Sequence, residues 1–91
     1  MTQTRLLIGS LSNDLYRVAN LVSRNSNKAA NRFAKEAKRW SVPLQNEELD
    51  EYIINIAKDV SNNKSKNVSL ELAEKYLMYA ILLQNYSLHN T

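Results

Sequence analysis

The sequence predicts an all-α fold: a three-helix, bundle-like arrangement with a long first helix, which dimerisation would complete. Three observations lead there. Apolar residues recur at spacings of three and four along most of the chain, the period of a helix that buries one side. The single glycine, Gly9, and the single proline, Pro43, are too few for the turns of an all-β protein. With 91 residues the chain makes one domain, 1–91, whose core is modest enough to gain from a partner.

The elements follow in order. Residues 1–11 read as an N-terminal arm. Leu6, Leu7, Ile8 and Leu11 need burial, so the arm docks, as a short helix or as an extended segment. Ser12 is a good N-cap, and Asp14 suits the positive end of a helix. Leu15, Val18, Val22, Ser26, Ala29, Phe33, Ala37 and Trp40 then form one seam. Its register runs unbroken through the weak helix formers of 23–27, so a single long helix over about 13–41 is expected rather than two. Proline at 43 stops it. Asn46 can cap a second helix over about 47–61, with Glu47, Glu48, Asp50 and Glu51 in its first turns and Leu49, Ile53, Ile56 and Val60 as its seam. Residues 61–67 are polar and read as a loop. Ser69 caps a third helix over about 70–87, and this helix is apolar on both sides.

The composition excludes several functions. Without cysteine there are no disulfides, thiolate metal sites or thiol nucleophiles, and a reducing compartment fits. Leu6-Leu7-Ile8 is too short for a signal-peptide core, and no apolar run approaches the roughly 20 residues of a membrane span. A cytoplasmic protein without membrane contact is expected. His89 is the only histidine and lies in the tail, a poor place for a catalytic group. The carboxylates near 47–51 are explained by a helix start. There is no glycine-rich phosphate loop and no nucleophile elbow. The chain is expected to have no catalytic residue, metal, cofactor or small-molecule substrate.

Charge carries the functional signal. Residues 1–42 hold eight Lys and Arg against two acids, a balance of +6, while residues 43–91 hold four lysines against seven acids, a balance of −3. On a helical projection Arg17, Arg24, Lys28, Arg32, Lys35, Lys38 and Arg39 share an arc of roughly 120°. Ordinary solvated faces mix signs, so these seven are candidate contacts for a polyanion or an acidic partner. The second candidate surface is the doubly apolar third helix. There Leu72, Met78, Tyr79, Leu82, Leu83 and Tyr86 are expected to meet a protein partner or a second copy. The sequence thus reads as a non-enzymatic protein–protein interaction module, a regulator or adaptor. The alternative is a nucleic-acid-binding accessory protein that uses the basic face.

Overall fold

Among residues 2–89, which the computed structural model describes, the chain forms four helices and no strand. They are α1 (Thr2–Ser23), α2 (Asn27–Leu44), α3 (Glu51–Asn62) and α4 (Leu70–His89). The all-α class stands, but the three-helix count and the long first helix do not.

The expected long helix breaks at Arg24-Asn25-Ser26. Asn25 adopts φ 60°, the left-handed conformation that asparagine tolerates better than most residues. The amide of Ser26 donates to the carbonyl of Leu21 at 2.8 Å and that of Asn25 to Val22 at 3.0 Å. This pair of bonds closes a helix in the Schellman manner and satisfies carbonyls left free at its end. The chain then reverses, and Ala30 donates to the carbonyl of Ser26 at 3.0 Å to start α2. Replacing Asn25 by alanine is expected to cost about 1 kcal/mol, because a Cβ without a polar side chain disfavours this backbone. Replacing it by glycine is expected to be close to neutral. Urea melts of the two variants check both.

Residues 2–11 are not an arm. They form the first half of α1, where Leu7, Ile8 and Leu11 extend the buried seam to Leu15 and Val18. Ser12 is therefore mid-helix and not an N-cap. Its buried hydroxyl instead donates to the carbonyl of Ala80 on α4 at 2.9 Å. The radius of gyration, 12.2 Å, matches the roughly 12 Å of a compact chain of this length, as expected when no N-terminal segment projects.

Pro43 lies inside the last turn of α2, which ends one residue later. The second expected helix starts late. Asp50, not Asn46, stands at the N-cap of α3, and Glu51 is the one acid in its first turn. Glu47 and Glu48 stay in the connection, where Glu47 accepts a hydrogen bond from Thr4 of α1. The expected cap of the last helix is present: Ser69 Oγ accepts the Leu72 amide at 3.0 Å.

α1 packs against both α2 and α4, and α2 packs against α3. Consecutive helices run antiparallel, so the bundle goes up, down, up, down. The core joins Leu11, Leu15 and Val18 of α1 with Ala30, Ala37 and Leu44 of α2, Ile53, Ile56 and Val60 of α3, and Tyr76, Ala80 and Leu83 of α4. Side-chain bonds fix the helix register. Trp40 donates its indole N–H to Asp14 at 2.9 Å across the α1–α2 contact. Burial raises the Asp14 carboxyl above its ordinary value, and the Trp40 bond offsets only part of this. The rings of Tyr52 and Tyr86 meet edge to face, 6.0 Å between centroids, and the Tyr79 hydroxyl donates to Asp59 at 2.7 Å; both ties join α3 to α4.

Asp59 also accepts Lys75 at 2.9 Å. Burial alone would raise its carboxyl, but the bonds from Lys75 and Tyr79 outweigh it and hold the pKa below the ordinary 3.8. A carboxylate with a depressed folded pKa stabilises the fold above its unfolded value, and that contribution disappears as pH falls through the folded one. Asp59→Asn is therefore expected to flatten the loss of thermal stability as pH falls below the ordinary carboxylate range, relative to wild type, read from melting curves at descending pH.

Candidate functional site

α3 is only 12 residues long against 18 for α2. It packs against α2 and ends at Asn62. Gln45, just past the C-terminal end of α2, donates to Ser61 Oγ near the end of α3 at 2.9 Å. Beside the N-terminal half of α2 the place of a helix is taken by the 63–69 connection. Asn31 of α2 pins that connection: its Oδ1 accepts the Val68 amide at 2.9 Å, and its Nδ2 donates to Asn67 Oδ1 at 2.9 Å. Asn63 Oδ1 accepts the Ser65 amide at 3.0 Å and shapes the start of the same segment. A thin connection in a helix-sized slot leaves a groove.

This groove holds about 530 Å³ and is lined by Lys28, Arg32, Lys35 and Lys38 of α2 and by Lys66 of the connection, with no carboxylate among its lining residues. Ala34, Val68 and Tyr76 supply its apolar surface. Lys28, Arg32, Lys35 and Lys66 are exposed, and Lys38 is half-buried. The cations of α2 recur about once per turn, roughly every 5 Å. Cations at this spacing match the successive charges of an extended anion.

The seven basic residues expected to act together separate into three groups. Lys28, Arg32, Lys35 and Lys38 line the groove. Arg17 lies over the Phe33 ring at 5.3 Å from its centroid, and Arg24 joins it around that ring on the opposite flank of α2. Arg39 pairs with Glu36 at 2.5 Å and lies over Trp40 at 5.6 Å. Its charge is thus partly answered within the helix, by an acid three residues away whose spacing was visible in the sequence. Lys66 was not anticipated. Nothing in a helical projection places a loop lysine beside α2; the nearest sequence signal is the density of lysine and asparagine in 63–67.

The expected apolar interface is only partly at the surface. Leu72 and Leu83 are buried in the chain's own core, and Tyr79 and Tyr86 are half-buried against it. Met78 and Leu82 are exposed, at 52% and 37%. The burial follows from Tyr76, one turn after Leu72, which turns this side of α4 toward α2 and α3. The outward side is the one that carries Leu70, Leu77, Ile81 and Leu88. The His89 side chain lies outside the described residues.

Among the described residues no three His, Asp or Glu side chains gather closely enough to hold a metal ion, and no helix is long and apolar enough to cross a membrane. No protein family, curated protein or solved structure matches this chain.

Proposed function

We propose that this chain is a small non-enzymatic binding module that holds the phosphate backbone of a nucleic acid in the groove between α2 and the 63–69 connection. The observation that carries the reading is the convergence on that groove of five cations from two separate elements, with no carboxylate between them. An ordinary solvated helix face would not gain a lysine from a loop nearly 30 residues further on. Recognition through phosphates is independent of base sequence. The α2 face offers Asn31 as its one amide near the groove centre, and that side chain is already committed to the connection.

The test is charge reversal at exposed positions: Lys28→Glu, Lys35→Glu and Lys66→Glu together. Retention on a phosphate or heparin column and binding of a labelled oligonucleotide are expected to disappear, with the melting curve little changed. Unaltered retention removes the polyanion reading. Loss of retention together with a nuclease-resistant pull-down from the source cell would point to an acidic protein instead.

The reading of the chain as a protein–protein module, a regulator or adaptor, rests on a different surface. Leu70, Leu77, Met78, Ile81, Leu82 and Leu88 are exposed along α4, interspersed with exposed Glu71, Glu74 and Asn85. Six large apolar side chains exposed on one helix support a contact with another protein.

A further inference from the structure

We infer that Ser65 is a phosphorylation site and that its phosphate closes the basic groove to nucleic acid. This rests on the reading of the groove as a phosphate-binding site and adds the regulation of that site.

Elimination leads to Ser65. Among the described residues, three that carry a hydroxyl lie outside the helices: Ser26, Ser65 and Ser69. Ser26 is half-buried, and Ser69 Oγ is engaged by the Leu72 amide as the cap of α4. Ser65 is exposed, and its hydroxyl has no hydrogen-bond partner among the described residues. It stands in the 63–69 connection, which forms neither helix nor strand. An uncommitted hydroxyl on an exposed irregular segment is open to a modifying enzyme without any unfolding of the bundle.

The surroundings decide what a phosphate does there. Ser65 lines the same groove as Lys28, Arg32, Lys35 and Lys38 of α2, and Lys66 follows it in the chain. It is fixed at that wall from both sides. Asn63 Oδ1 holds the Ser65 amide at 3.0 Å, and Asn31 ties Asn67 and Val68 to α2. With no carboxylate among the lining residues, a new anion at Ser65 faces cations alone. Phosphoserine carries about −1.5 to −2 charges at neutral pH and three acceptor oxygens. It lowers the net charge of the five groove cations to about +3 and repels an incoming phosphate backbone. The step is a phosphoryl transfer in which this chain is the substrate of a protein kinase. Ser65 Oγ bonds to the γ-phosphorus of a nucleoside triphosphate, the bond to the β–γ bridging oxygen breaks, the nucleoside diphosphate leaves and the hydroxyl proton passes to the base of the kinase.

A chain assembled by chemical ligation with phosphoserine at position 65 tests this against the unmodified chain. The phosphorylated chain is expected to bind a labelled oligonucleotide at least about tenfold more weakly at physiological salt, with a salt slope lower by about 2, and a phosphatase should restore both. Ser65→Ala should bind like wild type, which separates the added charge from the lost hydroxyl. By phosphorus NMR the phosphoserine should titrate below its free value of about 6, because nearby cations favour the dianion, and Lys35→Glu with Lys66→Glu should return it toward that value. The mass spectrum of the chain from its source cell should show one phosphate that Ser65→Ala removes. Equal oligonucleotide binding by the two forms overturns the closing of the groove. A chain from the source cell that carries no phosphate at position 65, with phosphatases inhibited throughout growth, overturns the site. If the unmodified chain binds no oligonucleotide, the groove reading fails by itself. A phosphate at position 65 with a lowered titration would then keep the modification site without the nucleic acid, and its absence would refute both.

Discussion

Replacing Tyr76 by alanine is expected to lower the unfolding free energy by about 3–5 kcal/mol, the range for removing a large buried aromatic side chain. For a chain of this size that is a large share of a total of about 5–14 kcal/mol. Tyr76 is 1% exposed and sits where α4 faces α2, with its ring stacked on Tyr79 at 6.2 Å. It also backs the basic groove. Burial, helped by the nearby Asp59 carboxylate, pushes its phenol up to about 12, so the ring stays neutral at any ordinary pH. Tyr76→Phe keeps the ring and is expected to stay within about 1 kcal/mol of wild type. Tyr76→Ala should also loosen the 63–69 connection, whose Val68 lines the same groove as that ring, and so weaken polyanion binding; Tyr76→Phe should not. Chemical denaturation gives the first result and oligonucleotide titration the second. A loss for Tyr76→Ala no larger than that for exposed Met78→Ala would contradict this placement of α4.

The periodicity that revealed the helical class also concealed one of the helices. The Arg24-Asn25-Ser26 turn reverses the chain, yet the apolar seam continues in register on the far side of it. A projection of the sequence therefore reads α1 and α2 as one rod. The reversal is decided by tertiary burial: folding back places Ala30 and Ala37 against Leu15 and Val18, which a continuous rod could not do within one chain. Ser12 misled in the other direction. A serine before an apolar run resembles a cap, but Leu7, Ile8 and Leu11 precede it at spacings that already continue the seam, and that signal was present in the sequence. Ser69 was legible because its cap is a local interaction that needs no other element.

The candidate surfaces divide on the same line. The α2 half of the groove was legible, since Lys28, Arg32, Lys35 and Lys38 share a helix face whatever the fold. Their separation from Arg17 and Arg24 was not, because it depends on the reversal. Lys66 was not either: it reaches the groove through the short α3 and the Asn31 pin, both tertiary facts. On α4 the total apolar content was legible, but not which side faces out, because both sides carry large residues and only the packing of Tyr76 and Leu83 selects between them.

The affinity of the groove for nucleic acid is expected to fall about 500-fold between 50 mM and 200 mM salt. Five groove cations that neutralise five phosphates give a slope of about −4.5 in log affinity against log salt, from roughly 0.9 counterions released per phosphate on a duplex. The triple change Lys28→Glu, Lys35→Glu and Lys66→Glu leaves Arg32 and Lys38 and should reduce the slope to about −2 or less, with binding at 200 mM lost from measurement. Folding should hardly register the change. All three side chains are exposed, exposed charges contribute little to stability, and three glutamates among the remaining cations relieve like-charge repulsion instead of creating it. Melting curves within about 1 kcal/mol of wild type are expected. Lys66→Glu alone separates the groove from the helix face. If the groove is the site, this single loop substitution lowers the slope by about 1, although it leaves every cation of α2 in place. If α2 alone attracts the polyanion, Lys66→Glu has no more effect than Lys58→Glu, a change at an exposed lysine on α3 that does not line the groove. Fluorescence titrations of one oligonucleotide against wild type and the two single variants, at four salt concentrations, decide between these outcomes.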